Sequence, residues 1–391
     1  MTAPPPPVLP PATIGVLGGG QLGRMLGFAA RAMGYRIVVL DPDPDCPSAA
    51  VADRVVVGAY DDVPAARELA ALSDVVTYEL EHIAAAVVAA VAEIAPVRPG
   101  LQALRVTQDR LAERAFVESA GIAVAPWRAV ASVEALRSAA HELGMPLRLK
   151  AALGGYDGRS QVRIAEAGEA ASAIERLGRP ASESLLVERE LDFAAELSVI
   201  VARGTDLRTS TFPPARNLHE DGILVESVAP ADLPAEALSA AEDTGCRLAD
   251  AMDLVGTLTI ELFLLRDGSL VVNELAPRVH NSGHWTIEGA ATSQFEQHIR
   301  AIAGLPLGPT DAHRPTAIVN LLGTGSLRDA RLLGVDEALG IPETHLHLYD
   351  KRRVFERRKM GHVTALGSTT QEALDRARAA RARLHWTEGQ A

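Results

Sequence analysis

The chain reads as an α/β domain followed by an α+β remainder. Three features carry that expectation: alternating strand and helix patterns over the first hundred residues, a change to hairpin patterns from Arg148, and a strong apolar hairpin around Asp267-Gly268. At 391 residues it is long enough for two to three domains with substantial cores.

The elements follow in order. Met1 to Ala12 is Pro-rich, without a basic n-region or an apolar h-region, so it reads as a disordered tail and not as a signal peptide. Strand patterns follow at Ile14 to Leu17, Arg36 to Leu40, Arg54 to Val57 and Val75 to Tyr78, with Ala-rich helices around them. One helix is expected over about Thr107 to Ala120, ending at Gly121. Hairpin strands are expected at Leu147 to Lys150, Val162 to Ile164, Leu185 to Glu188 and Glu196 to Val201. Thr257 to Leu265 and Leu270 to Leu275 form the strongest hairpin. Beyond Pro306 to Pro309 a smaller section has strands near Thr316 to Leu322 and His345 to Tyr349 and a last helix over about Gln371 to Leu384.

Composition narrows the function class. The formal net charge of −12 argues against a nucleic-acid partner. No run of 18 apolar residues suggests a membrane span. Cys46 and Cys246 lie far apart without metal-ligand spacing, which points to a reducing cytoplasm instead of a disulfide framework.

Several clusters carry chemistry. Gly18-Gly19-Gly20-Gln21-Leu22-Gly23 satisfies G-x-G-x-x-G after a strand, with Asp41 near the position of a ribose-binding acid. Alone this supports an NAD-dependent dehydrogenase, although the same turn holds any phosphate or simply closes tightly. A second phosphate apparatus begins at Lys150, which ends a strand ahead of Gly154, Gly155 and Gly158. Glycines at a hairpin tip give a lid whose N–H groups fold over phosphates, or else an ordinary surface turn. A two-residue loop at Asp267-Gly268 pairs Arg266 with Ser269 and sets Glu261 directly opposite Glu274. Their Cβ atoms would then be roughly 4.5–5.5 Å apart. Opposed carboxylates in an apolar hairpin repel unless a divalent cation lies between them or both are solvated. The segment from Arg278 to His284 adds a dense set of anion and hydroxyl donors, and Lys351 with Arg357-Arg358-Lys359 forms either a phosphate clamp or a solvated basic face.

These segments together resemble the ATP-grasp superfamily. Within it, the chain is similar to the N5-carboxyaminoimidazole ribonucleotide synthetases, the ATPase subunit of phosphoribosylaminoimidazole carboxylase. The segments that carry the resemblance are Gly18 to Met25, Lys150 with Gly154 to Gln161, Asn217 to Leu224, Asn273 to Trp285, and Tyr349 to Lys351 with Arg358 to His362. The resemblance implies a Rossmann-like pre-ATP-grasp domain over 13–110, a lid domain over 111–190, and a larger C-terminal domain over 191–391 with a small terminal subdomain from about 310. It implies a cytoplasmic homodimer in de novo purine synthesis that uses ATP, bicarbonate and aminoimidazole ribonucleotide, with Mg²⁺ as cofactor and Mn²⁺ able to substitute.

The implied ATP contacts are Arg105, Lys150, Gly155, Tyr156, Asp157, Gly158, Arg159, Ser160 and Gln161. They continue with Glu188, Arg189, Glu190, Leu191, Glu196, His219, Asn273 and Glu274. Glu261 and Glu274 match the metal-binding acids. Tyr156, Asp157, His280, Asn281, Ser282, Lys351 and Arg358 match the substrate contacts. Catalytic roles fall to Lys150 on the transferring phosphoryl group, Arg278 on bicarbonate, Asp157 on the attacking amine, and Lys351. Under this resemblance the glycine loop approaches the ribonucleotide, whose phosphate suits a helix N-terminus, and Asp41 caps the loop.

Overall fold

The computed structural model describes residues 4–154, 160–178 and 184–388. The first domain is a parallel four-stranded sheet made of β1 (Thr13–Leu17), β2 (Arg36–Asp41), β3 (Arg54–Val57) and β4 (Val75–Tyr78), in the order β3-β2-β1-β4. Ile14, Val16, Ile37 and Val39 are fully buried under helix α1 (Gln21–Ala32), which follows the glycine loop. The Pro-rich segment departs from the expected disordered tail. The Val8 N–H donates to the Ala303 carbonyl at 2.8 Å, and its own carbonyl accepts from the Tyr35 hydroxyl at 2.7 Å. Val8 thereby packs on the first domain's core.

The helix expected over Thr107 to Ala120 is two helices. One is Leu101–Gln108 and the other Arg110–Ser119, broken at Asp109, whose backbone is extended (φ −120°, ψ 112°). The break is local chemistry: the Asp109 carboxylate accepts from the Leu111 N–H at 2.8 Å and caps the second helix. It also frees Asp109 to pair with Leu153, and the Arg110 N–H to reach the Ala152 carbonyl at 2.9 Å.

A second, antiparallel sheet follows, made of β5 (Trp127–Val130), β6 (Leu147–Ala151), β7 (Gln161–Ile164) and β8 (Leu185–Arg189), in the order β5-β8-β6-β7. The third sheet is also antiparallel and has nine strands. It contains β9 (Phe193–Arg203), β10 (Thr209–Thr211), β11 (Ala215–Glu220), β12 (Ile223–Ala229), β13 (Gly256–Leu265), β14 (Leu270–Ala276) and β15 (Thr316–Leu322). Strands Lys359–Leu366 and Thr344–Leu348 extend it beyond β15, so the last quarter of the chain continues the central sheet. Among the described residues, no helix is long and apolar enough to cross a membrane.

The hairpin β13–β14 reaches the expected pairing by an unexpected route. Leu264 faces Leu270 and the Leu265 N–H bonds to the Ser269 carbonyl, so the loop is Arg266-Asp267-Gly268, with Gly268 at φ +87°. Three-residue loops of this kind place a glycine in the left-handed region, and here it meets nothing. The expected pairing of Arg266 with Ser269 is therefore wrong by one residue. A β-bulge at Asn273 inserts one residue between Leu262↔Val272 and Glu261↔Glu274, and the two carboxylates face each other after all.

Candidate functional site

A cleft of about 1170 Å³ lies where the three sheets meet. Its walls come from the end of β4, from the break at Asp109, from β6–β8, from β9, β11, β13 and β14, and from the segment around Lys351 to Lys359. Both thiols, Cys46 and Cys246, are unpaired.

The phosphate side is built on buried charges. Lys150, 9 % exposed, is the penultimate residue of β6 and pairs with Glu188. Arg114, 1 % exposed, donates from Nη2 to Glu188 Oε2 at 3.0 Å and from Nη1 to Glu113 Oε1 at 2.8 Å. Glu113 in turn accepts the Leu275 N–H at 2.9 Å, directly beside Glu274. Burial opposes ionisation of Glu188, yet Lys150 and Arg114 hold its carboxyl at about 2. Burial pushes the Glu113 carboxyl up and Lys150 down, each only partly offset by its partner. Because the Glu188 carboxyl lies below its ordinary value of 4.5, its contribution to stability is full above that pH and is lost as pH falls towards 2. An acid titration of Glu188→Gln against the parent chain is expected to show a smaller loss of stability over that window, read by unfolding midpoints.

The acid pair lines the same cleft as Lys150. The Asn273 bulge turns two successive residues, Asn273 and Glu274, towards the cleft, and Asn273 Nδ2 donates to Glu261 Oε2 at 3.2 Å. His219 pairs with Glu196 through Nδ1, and its Nε2 lies 3.8 Å from Glu261 Oε1. Burial pushes the Glu261 carboxyl up against the pull of His219, and the charge of Glu274 pushes it further. Two adjacent carboxylates held this way suit a hard divalent cation that completes its shell with phosphate oxygens and water. Among the described residues, no group of three or more His, Cys, Asp or Glu forms a metal site unaided.

Beyond the end of β14, Arg278 meets Glu81 with Nε–Oε1 at 2.8 Å and Nη2–Oε2 at 3.0 Å, and its Nη1 donates to the Val279 carbonyl at 3.1 Å. The ring of His280 is held by Ser282, with Nδ1–Oγ at 2.9 Å, and burial pushes its pKa well down. Asn281 is buried, lines the cleft and has neither amide atom hydrogen-bonded. Lys351 Nζ donates to the Lys359 carbonyl at 2.8 Å and lies 5.7 Å over the Tyr349 ring. Arg357 is committed to Asp221 at 2.6 Å and to the Glu220 carbonyl, whereas Arg358 lies over Phe355.

Most expected site residues converge here. Lys150, Ser160, Gln161, Glu188, Arg189, Glu190, Leu191, Glu196, His219, Glu261, Asn273 and Glu274 line the cleft, as do Arg278, His280, Asn281, Lys351 and Arg358. Gly155, Tyr156, Asp157, Gly158 and Arg159 lie outside the described residues. Three expected positions stand differently. Arg105 is exposed on its helix and is not among the residues lining the cleft, whereas Arg110, just past the break at Asp109, is. Arg110 Nη1 donates to the Ala151 carbonyl at 3.3 Å, and Nη2 lies 3.9 Å from Glu274. Ser282 is fully buried and supports His280 from behind.

The third is the glycine loop. The carboxylate of Glu79 accepts the Gly20 N–H and, at 2.7 Å, the Gly23 N–H, while Asp41 accepts the Gly19 N–H at 2.8 Å. The Gly20 and Gly23 amides at the start of α1 are thus taken by the chain's own anion, so neither is left to donate to a phosphate. Asp41 caps the loop as expected. A Cβ on Gly20 would collide with the Glu79 carboxylate, which accounts for the glycine there.

Arg110, Glu79, Glu81 and the Glu113–Arg114 pair escaped sequence reasoning, as did the stacked rings of Phe193 and Phe263. Those rings are 4.5 Å apart at 12° on the cleft wall. The acidic run Glu79-Leu80-Glu81 at the end of β4 was the available signal.

Family comparisons agree with this architecture. The ribonucleotide synthetase preATP-grasp domain matches residues 11–108, the ATP-grasp domain 115–295, and the phosphoribosylaminoimidazole carboxylase C-terminal domain 316–376. An N5-carboxyaminoimidazole ribonucleotide synthase of Brucella melitensis is 44% identical over 363 residues, covering 92% of this chain and 98% of its own. The chain belongs to the N5-carboxyaminoimidazole ribonucleotide synthase family. A crystal structure of an ADP complex of an N5-carboxyaminoimidazole ribonucleotide synthetase superposes with TM-score 0.89 at 41% identity, over 96% of this chain and 97% of that one. Another member of the synthase family, from Aspergillus clavatus in complex with ADP and 5-aminoimidazole ribonucleotide, superposes with TM-score 0.86 at 31% identity, over 95% and 98%.

Proposed function

We propose that this chain is a ligase that uses ATP to join bicarbonate to the exocyclic amine of 5-aminoimidazole ribonucleotide. The products are N5-carboxyaminoimidazole ribonucleotide, ADP and phosphate, formed in de novo purine synthesis. The observation that carries the reading is the bulged hairpin, which presents Asn273 and Glu274 opposite Glu261 on one wall of the cleft, with Lys150 in the same cleft.

In the first step a bicarbonate oxygen attacks the γ-phosphorus of ATP and ADP departs, giving carboxyphosphate. In the second the amine attacks the carboxyl carbon, inorganic phosphate departs, and the amine loses a proton. Lys150 supplies positive charge to the transferring group, and Glu188 holds its ammonium in place. Glu261 and Glu274 would hold Mg²⁺, with Mn²⁺ as substitute, an ion that neutralises phosphate charge when bound. Phe193 and Phe263 offer an apolar wall for the adenine. Arg278 is assigned to bicarbonate, His280 to the ribonucleotide, and Asp157 to the amine. Lys351 and Arg358 would take the ribonucleotide's phosphate. Carboxyphosphate hydrolyses in water, so its transfer calls for closure of the hairpin that follows Lys150. A homodimer in the cytoplasm completes the proposal, supported by the family resemblance and, for the compartment, by the two free thiols.

ADP release coupled to an optical readout, with ATP, Mg²⁺ and bicarbonate present, tests this directly. ADP is expected only when aminoimidazole ribonucleotide is added; equal release without it would show that the acceptor is a different molecule.

A further inference from the structure

The segment bearing Lys351 is tied to the first domain on both sides. Asp350 accepts from Arg24 Nη1 at 3.1 Å, and Arg352 Nη1 donates to Asp45 at 2.9 Å. Arg24 lies on α1 and Asp45 in the loop after β2, more than three hundred residues away in sequence. Arg24 is itself anchored, since Nη1 also donates to the Pro47 carbonyl at 2.8 Å. Asp350 adopts φ +59°, in the left-handed region that aspartate enters more readily than most residues. Between the two pairs Lys351 lines the cleft, as do Gln21 and Glu79 of the first domain. Its charge is close enough to act on the Glu79 carboxyl, which burial pushes up and Lys351 draws down.

We infer that Arg24–Asp350 and Asp45–Arg352 form a two-sided clamp that positions Lys351, making the first domain a partner in binding the acceptor's phosphate. The inference rests on the assignment of Lys351 to that phosphate. Asp350, Arg352 and Asp45 are more than half exposed, so the pairs add little to folding, and their effect falls on where the loop stands.

Steady-state kinetics of Asp45→Asn, Asp350→Asn and the double variant, at low salt, provide the test. Each single change is expected to raise KM for aminoimidazole ribonucleotide about two- to five-fold, the range open to an exposed pair. The double variant is expected to raise it about ten-fold, with KM for ATP and the melting temperature unchanged. A charge-swapped variant, Asp45→Arg with Arg352→Asp, is expected to recover much of the loss. Added salt raises the parent's KM towards that of the variants. Lys351→Met runs in parallel. If Lys351→Met raises KM for the ribonucleotide while the double variant behaves as the parent, or shifts both KM values equally, the clamp is overturned and the phosphate assignment survives. If Lys351→Met leaves that KM unchanged, the assignment falls and the clamp falls with it.

Discussion

Replacing Lys150 by methionine is expected to lower kcat by about 10²–10³-fold, the usual loss when one preorganised charge aimed at a transition state is removed. Methionine keeps most of the volume, so the change isolates charge. Lys150 is buried near the end of β6 and is held by Glu188, which Arg114 holds from the other side. The ammonium is therefore oriented before substrate arrives, and the chain has already met the cost of desolvating it. Single-turnover ADP formation would separate chemistry from binding. Turnover within ten-fold of the parent would show that Lys150 serves the network and not the phosphoryl group.

Arg114→Met is expected to be the most destabilising single change, at about 3–5 kcal/mol, because it strips two buried carboxylates of their shared partner. The double variant Glu113→Gln, Arg114→Met leaves the Glu188–Lys150 pair intact and removes one stranded charge. It is expected to be more stable than Arg114→Met alone. Urea midpoints of the three chains at neutral pH decide the matter. Equal losses in the single and double variants would mean that Arg114 contributes packing and not charge balance.

Periodicity and turn chemistry made the sheets legible in advance. Arg54–Val57, Val75–Tyr78 and Thr316–Leu322 were placed by pattern alone, since β-branched runs bounded by turn residues admit few other readings. The opposed glutamates were legible as well, although through two errors of one residue that cancel: a turn longer than expected and a bulge that restores the register. Tertiary events hid the rest. Nothing in the G-x-G-x-x-G spacing reveals that Glu79, 56 residues beyond Gly23, fills the start of α1. Helical propensity runs straight through Asp109, and only its cap and its pairing with Leu153 break the helix and bring Arg110 to the cleft. Arg114, on the face of an amphipathic helix, looks solvated until Glu188 from β8 closes on it beside its own neighbour Glu113.

The bulge at Asn273 separates the working part of its hairpin from the tip. Alignment of the two acids depends on the inserted residue and on the flanking strand β9, which runs beside β13 for its whole length. The loop Arg266-Asp267-Gly268 lies on the far side of that insertion, with Asp267 exposed and open space around Gly268. The tip is consequently free to vary in length and composition over evolutionary time, and it is a natural point at which to open the chain for circular permutation or to splice in a reporter.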